Sequence, residues 1–193
     1  MSMRMFRFVL TAFLCGTAIA ETQPAEVAQL QRLAFLVGDW RATGRTYPEK
    51  YGDRAGPTTG SARYRWANRD TWLLSEVSLD SGFPYGVIVL VAIDRATLAY
   101  RAYAMTNFSS NAVAYIGHWQ SDTTLIFDGA LDTTGARRQR VTYEKLADGQ
   151  VGFRVEESHD GGESYIPDSE LLLERQGIVD SGPPRSTMDQ EKG

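Results

Sequence analysis

The chain offers little for polar catalysis. In 193 residues there are two histidines, His118 and His159, and one cysteine, Cys15, near the amino terminus. A zinc site would have to rest on carboxylates, which suit zinc poorly, so no metal is expected. No G-x-S-x-G elbow, S-x-x-K, H-E-x-x-H or phosphate-cradling glycine loop occurs. Glu156 and Glu157 are adjacent, and on a strand neighbours point to opposite faces, so the two cannot act as an acid and base pair. The remaining route to acid–base chemistry is His118 brought by folding against Glu76, Asp94 or Glu144. No catalytic residue is assigned, and a hydrolase or isomerase is the least supported reading.

Binding is better supplied. Trp66, Trp72, Tyr100, Tyr103, His118 and Trp119 fall in strand-like segments and are the candidate contacts for a small apolar or amphipathic ligand. Aromatic walls with a few hydroxyls are the usual make-up of such a pocket. Tyr64, Tyr115, Phe127, Tyr143 and Phe153 share the same segments, and ordinary core filling is the alternative for the whole aromatic set.

The elements that must position these residues are mostly strands. Segments rich in Val, Ile, Thr, Tyr and Trp predict about ten, near 39–47, 60–67, 71–79, 85–93, 98–106, 112–120, 124–129, 137–147, 150–157 and 165–175. Between them Asn68-Arg69-Asp70, Asp80-Ser81-Gly82, Asp132-Thr133-Thr134-Gly135, Asp148-Gly149 and Asp160-Gly161-Gly162 supply turn chemistry. Successive strands then pair antiparallel, and closing the meander into a barrel removes both open edges. Val151, Phe153 and Val155 alternate with Gly152, Arg154 and Glu156 as a barrel wall requires. The segment Val87 to Ile93 is apolar on both faces, which predicts an outer cover of loop or helix. The connection from Pro48 to Pro57 is long enough for a mobile lid. Ahead of the strands, Val27, Leu30, Leu33 and Val37 make one helical stripe, with Pro24 and Glu26 as start signals.

The termini read differently. Arg4 and Arg7, an apolar run from Phe8 to Leu14, and Ala18-Ile19-Ala20 predict a signal peptide over residues 1–20, cleaved near Ala20. That places the mature protein in the periplasm or outside the cell. Its apolar run is shorter than the roughly 20 residues of a membrane-spanning helix, and no later segment is longer. Cys15 falls inside the signal, so the mature chain would carry no thiol or disulfide. One domain is expected over 21–176, and 177–193, with Gly182-Pro183-Pro184, reads as a disordered tail. The formal charge of −4 becomes about −6 once Arg4 and Arg7 are removed, which argues against a nucleic-acid partner. Arg137, Arg138 and Arg140 form the one basic cluster, expected on a solvated face with acids such as Glu144 and Glu156. A protein partner in the cell envelope is the alternative to a small ligand.

The G-x-W of Gly38-Asp39-Trp40, following a short helix and opening the first strand, resembles the start of a calycin, the lipocalin-type barrel. That resemblance implies structural barrel closure by Gly38, Trp40 and Arg175, with the last-strand cation over the indole. The chain further resembles a bacterial lipocalin-like family, domain of unknown function 1579. The resemblance rests on Leu33 to Trp40 with Gly44, Tyr64-Arg65-Trp66, Trp72-Leu73, Gly86, Ile93-Asp94, Gly117-His118-Trp119, Thr142-Tyr143, Asp148-Gly149 and Leu173-Glu174-Arg175. It implies a fold and no activity. A related barrel class holds haem through a histidine just before its final apolar strand residues. Here His159 sits in a turn a dozen positions before Leu171, so no haem or other cofactor is expected.

Overall fold

The computed structural model describes residues 25–82 and 84–177. The expected signal peptide, Cys15, Pro24 and all of the expected tail except Gly177 lie outside them.

Ten strands run in chain order: β1 (Gly38–Thr46), β2 (Pro57–Ala67), β3 (Trp72–Asp80), β4 (Pro84–Ile93), β5 (Tyr100–Thr106), β6 (Val113–Trp119), β7 (Thr124–Ala130), β8 (Arg138–Lys145), β9 (Val151–Ser158) and β10 (Ile166–Arg175). Each pairs antiparallel with the next, and β1 pairs with β10 from Trp40 opposite Arg175 to Thr46 opposite Ser169. The result is a closed, all-β, up-and-down barrel of calycin-like architecture. Acidic turns tie the hairpins. Asp132 accepts from the backbone N–H of Thr134, Gly135 and Arg137, and Asp160 gathers Ser158 and Ser164 in the turn that holds His159.

One barrel end is capped by helix α1 (Ala25–Gln31), which continues into a 3-10 turn over Arg32–Leu36. The tightening corrects the predicted stripe. With three residues per turn, Leu30, Leu33 and Leu36 align and are buried, whereas Val27 and Val37 are half-buried.

Two other expectations change. The Pro48 to Pro57 connection folds into helix α2 (Pro48–Tyr51) and a 3-10 turn, seated at the barrel mouth by the contacts described below. The outer side of β4 is not covered as expected. Although α1 reaches β4, Ile88 is 43% exposed, beside Met105 at 42% in register on β5.

Candidate functional site

The capped end explains half of the predicted aromatic set. Tyr100 is buried, and its hydroxyl donates to the Gln29 carbonyl at 2.7 Å while accepting from Trp119 Nε1 at 2.8 Å. Phe35 packs 5.8 Å from the Trp119 ring, and Arg32 lies 4.4 Å from that ring's centroid on the same assembly. Trp66 is half-buried against the core. Tyr100 and Trp119 therefore fasten the helix and its 3-10 extension to the barrel.

The closure residues meet there too. Arg175 Cζ stands 4.4 Å from the Trp40 ring centroid, a contact worth about 0.5–2 kcal/mol. Its guanidinium donates to the carbonyls of Val37 at 2.5 Å and Phe35 at 3.1 Å, and Trp40 Nε1 donates to the Leu36 carbonyl at 2.7 Å. Gly38 is required by its conformation, and a side chain there would also push Arg175 off the indole. Its φ is +139°, and a Cβ there would lie 2.5 Å from Arg175 Nη1.

The other half of the set faces outward. Trp72 is 41% and Tyr103 48% exposed, and His118 is exposed on β6. Asp94 is spent on Arg101 at 3.1 Å and Glu76 on Arg65 at 3.4 Å, while Glu144 is exposed on β8, so the expected assembly around His118 is not formed. Arg101 and the N–H groups of Ala96 and Thr97 hold the Asp94 carboxyl below the usual carboxylate range.

The interior cavity, about 380 Å³, is lined by none of the six predicted contacts. Its walls come from inward positions of almost every strand: Leu73, Val77, Val89, Val91, Ala102, Ala104, Phe127, Val141, Phe153 and Val155. Small and branched side chains on β3 to β5 leave the space that larger ones would fill. Two hydroxyls in it belong to Tyr64 and Tyr143, edge to face with centroids 6.4 Å apart. Burial raises both above the ordinary phenol value, Tyr143 to about 12, so they stay neutral. Ser75, inward on β3 and opposite Tyr64 in register, is 2% exposed. Its Oγ has no hydrogen-bond partner among the described residues.

At the mouth the polar groups converge. Lys50, on α2, reaches Asp168 Oδ2 at 2.5 Å and Glu157 Oε2 at 2.8 Å, and Tyr51 donates to Asp168 Oδ1 at 2.9 Å. Arg137 pairs with Glu157 from the other side, and His159 Nε2 stands 3.7 Å from the same carboxylate. Burial alone would raise the Glu157 carboxyl, but Lys50 and Arg137 outweigh it and hold it below the ordinary value. Burial likewise opposes the charge on Lys50, and Asp168 and Glu157 together more than restore it. The adjacent acids thus divide as strand geometry demands: Glu157 turns into the mouth, and Glu156 lies 4.0 Å from Arg154. The basic cluster pairs with Glu157 and Asp128 instead of the expected Glu144 and Glu156.

Asp168 owes its place to a bulge. Pro167 opposes Glu156 and Ser169 opposes Val155, leaving Asp168 as the extra residue of β10. The irregularity turns both Asp168 and Ser169 inward, where strict alternation would send one of them outside. Lys50 and Glu157 could be sought from sequence as a cation in the lid connection and an extension of the Val151, Phe153, Val155 face. The bulge, and with it Asp168, left no such mark.

No family model matches the chain, and no curated protein matches its sequence. Among solved structures, that of EF1p2_mFAP2b bound to DFHBI aligns at a TM-score of 0.34 and 12% identity, over 77% of this chain and 99% of the other.

Proposed function

We propose that this barrel is an exported carrier or receptor of a small, mostly apolar molecule held in its interior. The observation that carries the reading is the 380 Å³ cavity, walled by aliphatic and aromatic side chains and overlain at its mouth by α2 with Lys50 and Tyr51 among its lining residues. Its size falls in the range of small-molecule sites, and an apolar space of that size forfeits packing contacts unless a guest fills it. The six residues that prompted the reading are replaced by the lining described above. Membership of the calycin class and of the domain of unknown function 1579 family is part of the proposal and rests on the motifs already named. Export rests on residues 1–20, and a mature amino terminus at Glu21 in protein recovered from the periplasm would establish it.

The test is a native mass spectrum of the protein from its own host, together with titration by the neutral fluorescent probe 1-aminoanthracene. An adduct lost on denaturation, and probe binding abolished by Ala102→Phe, are the expected results. A bare chain that also fails to bind the probe would overturn the reading.

A second reading, a protein partner in the envelope, is favoured by the apolar outer wall of β4 to β6. There Ile88, Tyr103, Met105 and Ile116 are each at least 42% exposed. Photocrosslinking in cells from Ile116 that traps no defined partner would remove it.

A further inference from the structure

The cavity's charges and the buried, unpartnered hydroxyl of Ser75 bear on what kind of molecule it holds, an inference that rests on the binding role proposed above. Lys50 is the only cationic side chain among the lining residues, and it is already engaged by Asp168 and Glu157. The second cation of the cluster, Arg137, is itself paired with Glu157. Two acids balance two bases, so an entering carboxylate would find no uncommitted positive charge and would meet Asp168 at the lining. Moving a charge into an apolar cavity without a counter-ion is strongly unfavourable. The charge balance therefore disfavours anionic amphipaths.

Deeper in, Tyr64, Ser75, Tyr115 and Tyr143 bring hydroxyl side chains to the lining. Tyr64 and Tyr143 stand edge to face with ring centroids 6.4 Å apart, and Tyr115 donates to Gln139 Oε1 at 2.5 Å. Ser75 is set apart by burial: the residue lines the cavity, and its Oγ is fully buried and unpartnered among the described residues. A hydroxyl both donates and accepts, so it can satisfy a neutral oxygen of either kind. Leaving it unmatched is costly, and a guest that supplies the missing hydrogen bond recovers that cost. Ser75 stands on the capped half of β3, three residues beyond Trp72, so the matching oxygen belongs at the guest's buried end.

We propose that the cavity selects an uncharged aliphatic alcohol or carbonyl compound, its oxygen seated on Ser75 Oγ and its hydrocarbon along Val77, Val89 and Ala104, and that it rejects the corresponding carboxylate. Ser75 is then the residue that sets polarity and orientation inside an otherwise apolar site.

Calorimetric titration of the mature chain with 1-octanol and with octanoate at neutral pH tests this, alongside 1-aminoanthracene as the reporter of the cavity itself. The expected result is octanol binding at least about tenfold tighter than octanoate. Ser75→Ala should weaken octanol about fivefold, leave 1-aminoanthracene unchanged, and not lower the unfolding midpoint, because the hydroxyl it removes has no partner in the unliganded protein. Octanoate binding as tightly as octanol, or octanol affinity unmoved by Ser75→Ala, would overturn the inference. Probe binding without octanol binding overturns it alone, whereas failure of all three ligands overturns the binding role with it. The alcohol and carboxylate comparison needs no variant, so it decides even if Ser75→Ala folds poorly.

Discussion

The two ends of this barrel are closed by opposite chemistry. At the capped end the contacts are a buried indole, buried leucines and an exposed guanidinium donating to backbone carbonyls, with no carboxylate partner for Arg175 among the described residues. At the mouth, α2 is held by Lys50 and Tyr51 on two buried carboxylates. A main-chain carbonyl does not titrate, but a carboxylate does. The buried contacts of the cap therefore do not titrate, its ion pairs Arg32–Asp122 at 3.9 Å and Arg95–Glu26 at 3.8 Å being exposed, whereas the buried carboxylates of the mouth respond to protonation. Because the cavity lies between them, a guest would enter and leave past α2.

Replacing Trp40 should have the largest effect. The indole is fully buried, and Trp40→Ala removes its packing, its hydrogen bond to Leu36 and the surface on which Arg175 rests. A loss of about 3–5 kcal/mol in chemical denaturation is expected. A loss under about 1 kcal/mol would break the claim that this end is the structural anchor. Asp168→Asn comes next, keeping the volume while weakening the bonds to Lys50 and Tyr51, at about 2 kcal/mol. Hydrogen exchange should then quicken over 48–54 and stay unchanged over 27–36. Equal acceleration at both ends would mean that the two closures are one cooperative unit.

Acid should separate the ends further. Glu157 has a folded value below the usual 4.5, because Lys50 and Arg137 outweigh its burial. The folded state thus takes up that proton less readily than the unfolded chain. The stabilisation is complete above the unfolded value and is lost as pH falls through the folded one. The stability gap between the native protein and Glu157→Gln should accordingly narrow as denaturation midpoints are taken from pH 6 to pH 3. The gap for Trp40→Phe should hold constant over that range. A Glu157 gap that widens in acid would reverse the assignment.

Much of this frame was legible in the sequence because period-2 alternation and turn chemistry are local. All ten strands were expected near their observed places, and the Trp40–Arg175 closure was expected from the motif at each end of the chain. The cavity was not, although part of the error was avoidable. Tyr100 and Tyr103 stand three positions apart on one strand, and His118 and Trp119 are adjacent. In each pair only one side chain can face inward. Tyr100 and Trp119 do, and both are consumed by the cap. Ser75 was hidden for another reason: a serine on a strand signals nothing until the surrounding walls show that its hydroxyl has no partner. Asp168 depended on a bulge, and Lys50 on a short helix within a segment that carries lid-like turn residues.

The smallest effect is expected where sequence reasoning placed most chemical weight. His118 is exposed on the outer face of β6, opposite Ile126 in register, and no carboxylate among the described residues is hydrogen-bonded to it. His118→Ala should change unfolding free energy by no more than about 0.5 kcal/mol, the ordinary range for a surface substitution. It should leave 1-octanol affinity unmoved, because the side chain lies on the far side of the barrel wall from the cavity. Trp119 beside it gives the contrast. Trp119→Ala removes a donor to Tyr100 and a platform for Phe35, so the cap should loosen while the mouth does not. Measuring both variants by hydrogen exchange separates two neighbours that differ in the face they present. If His118→Ala were to weaken octanol binding as much as Ser75→Ala does, the inside and outside of this wall would be assigned the wrong way round.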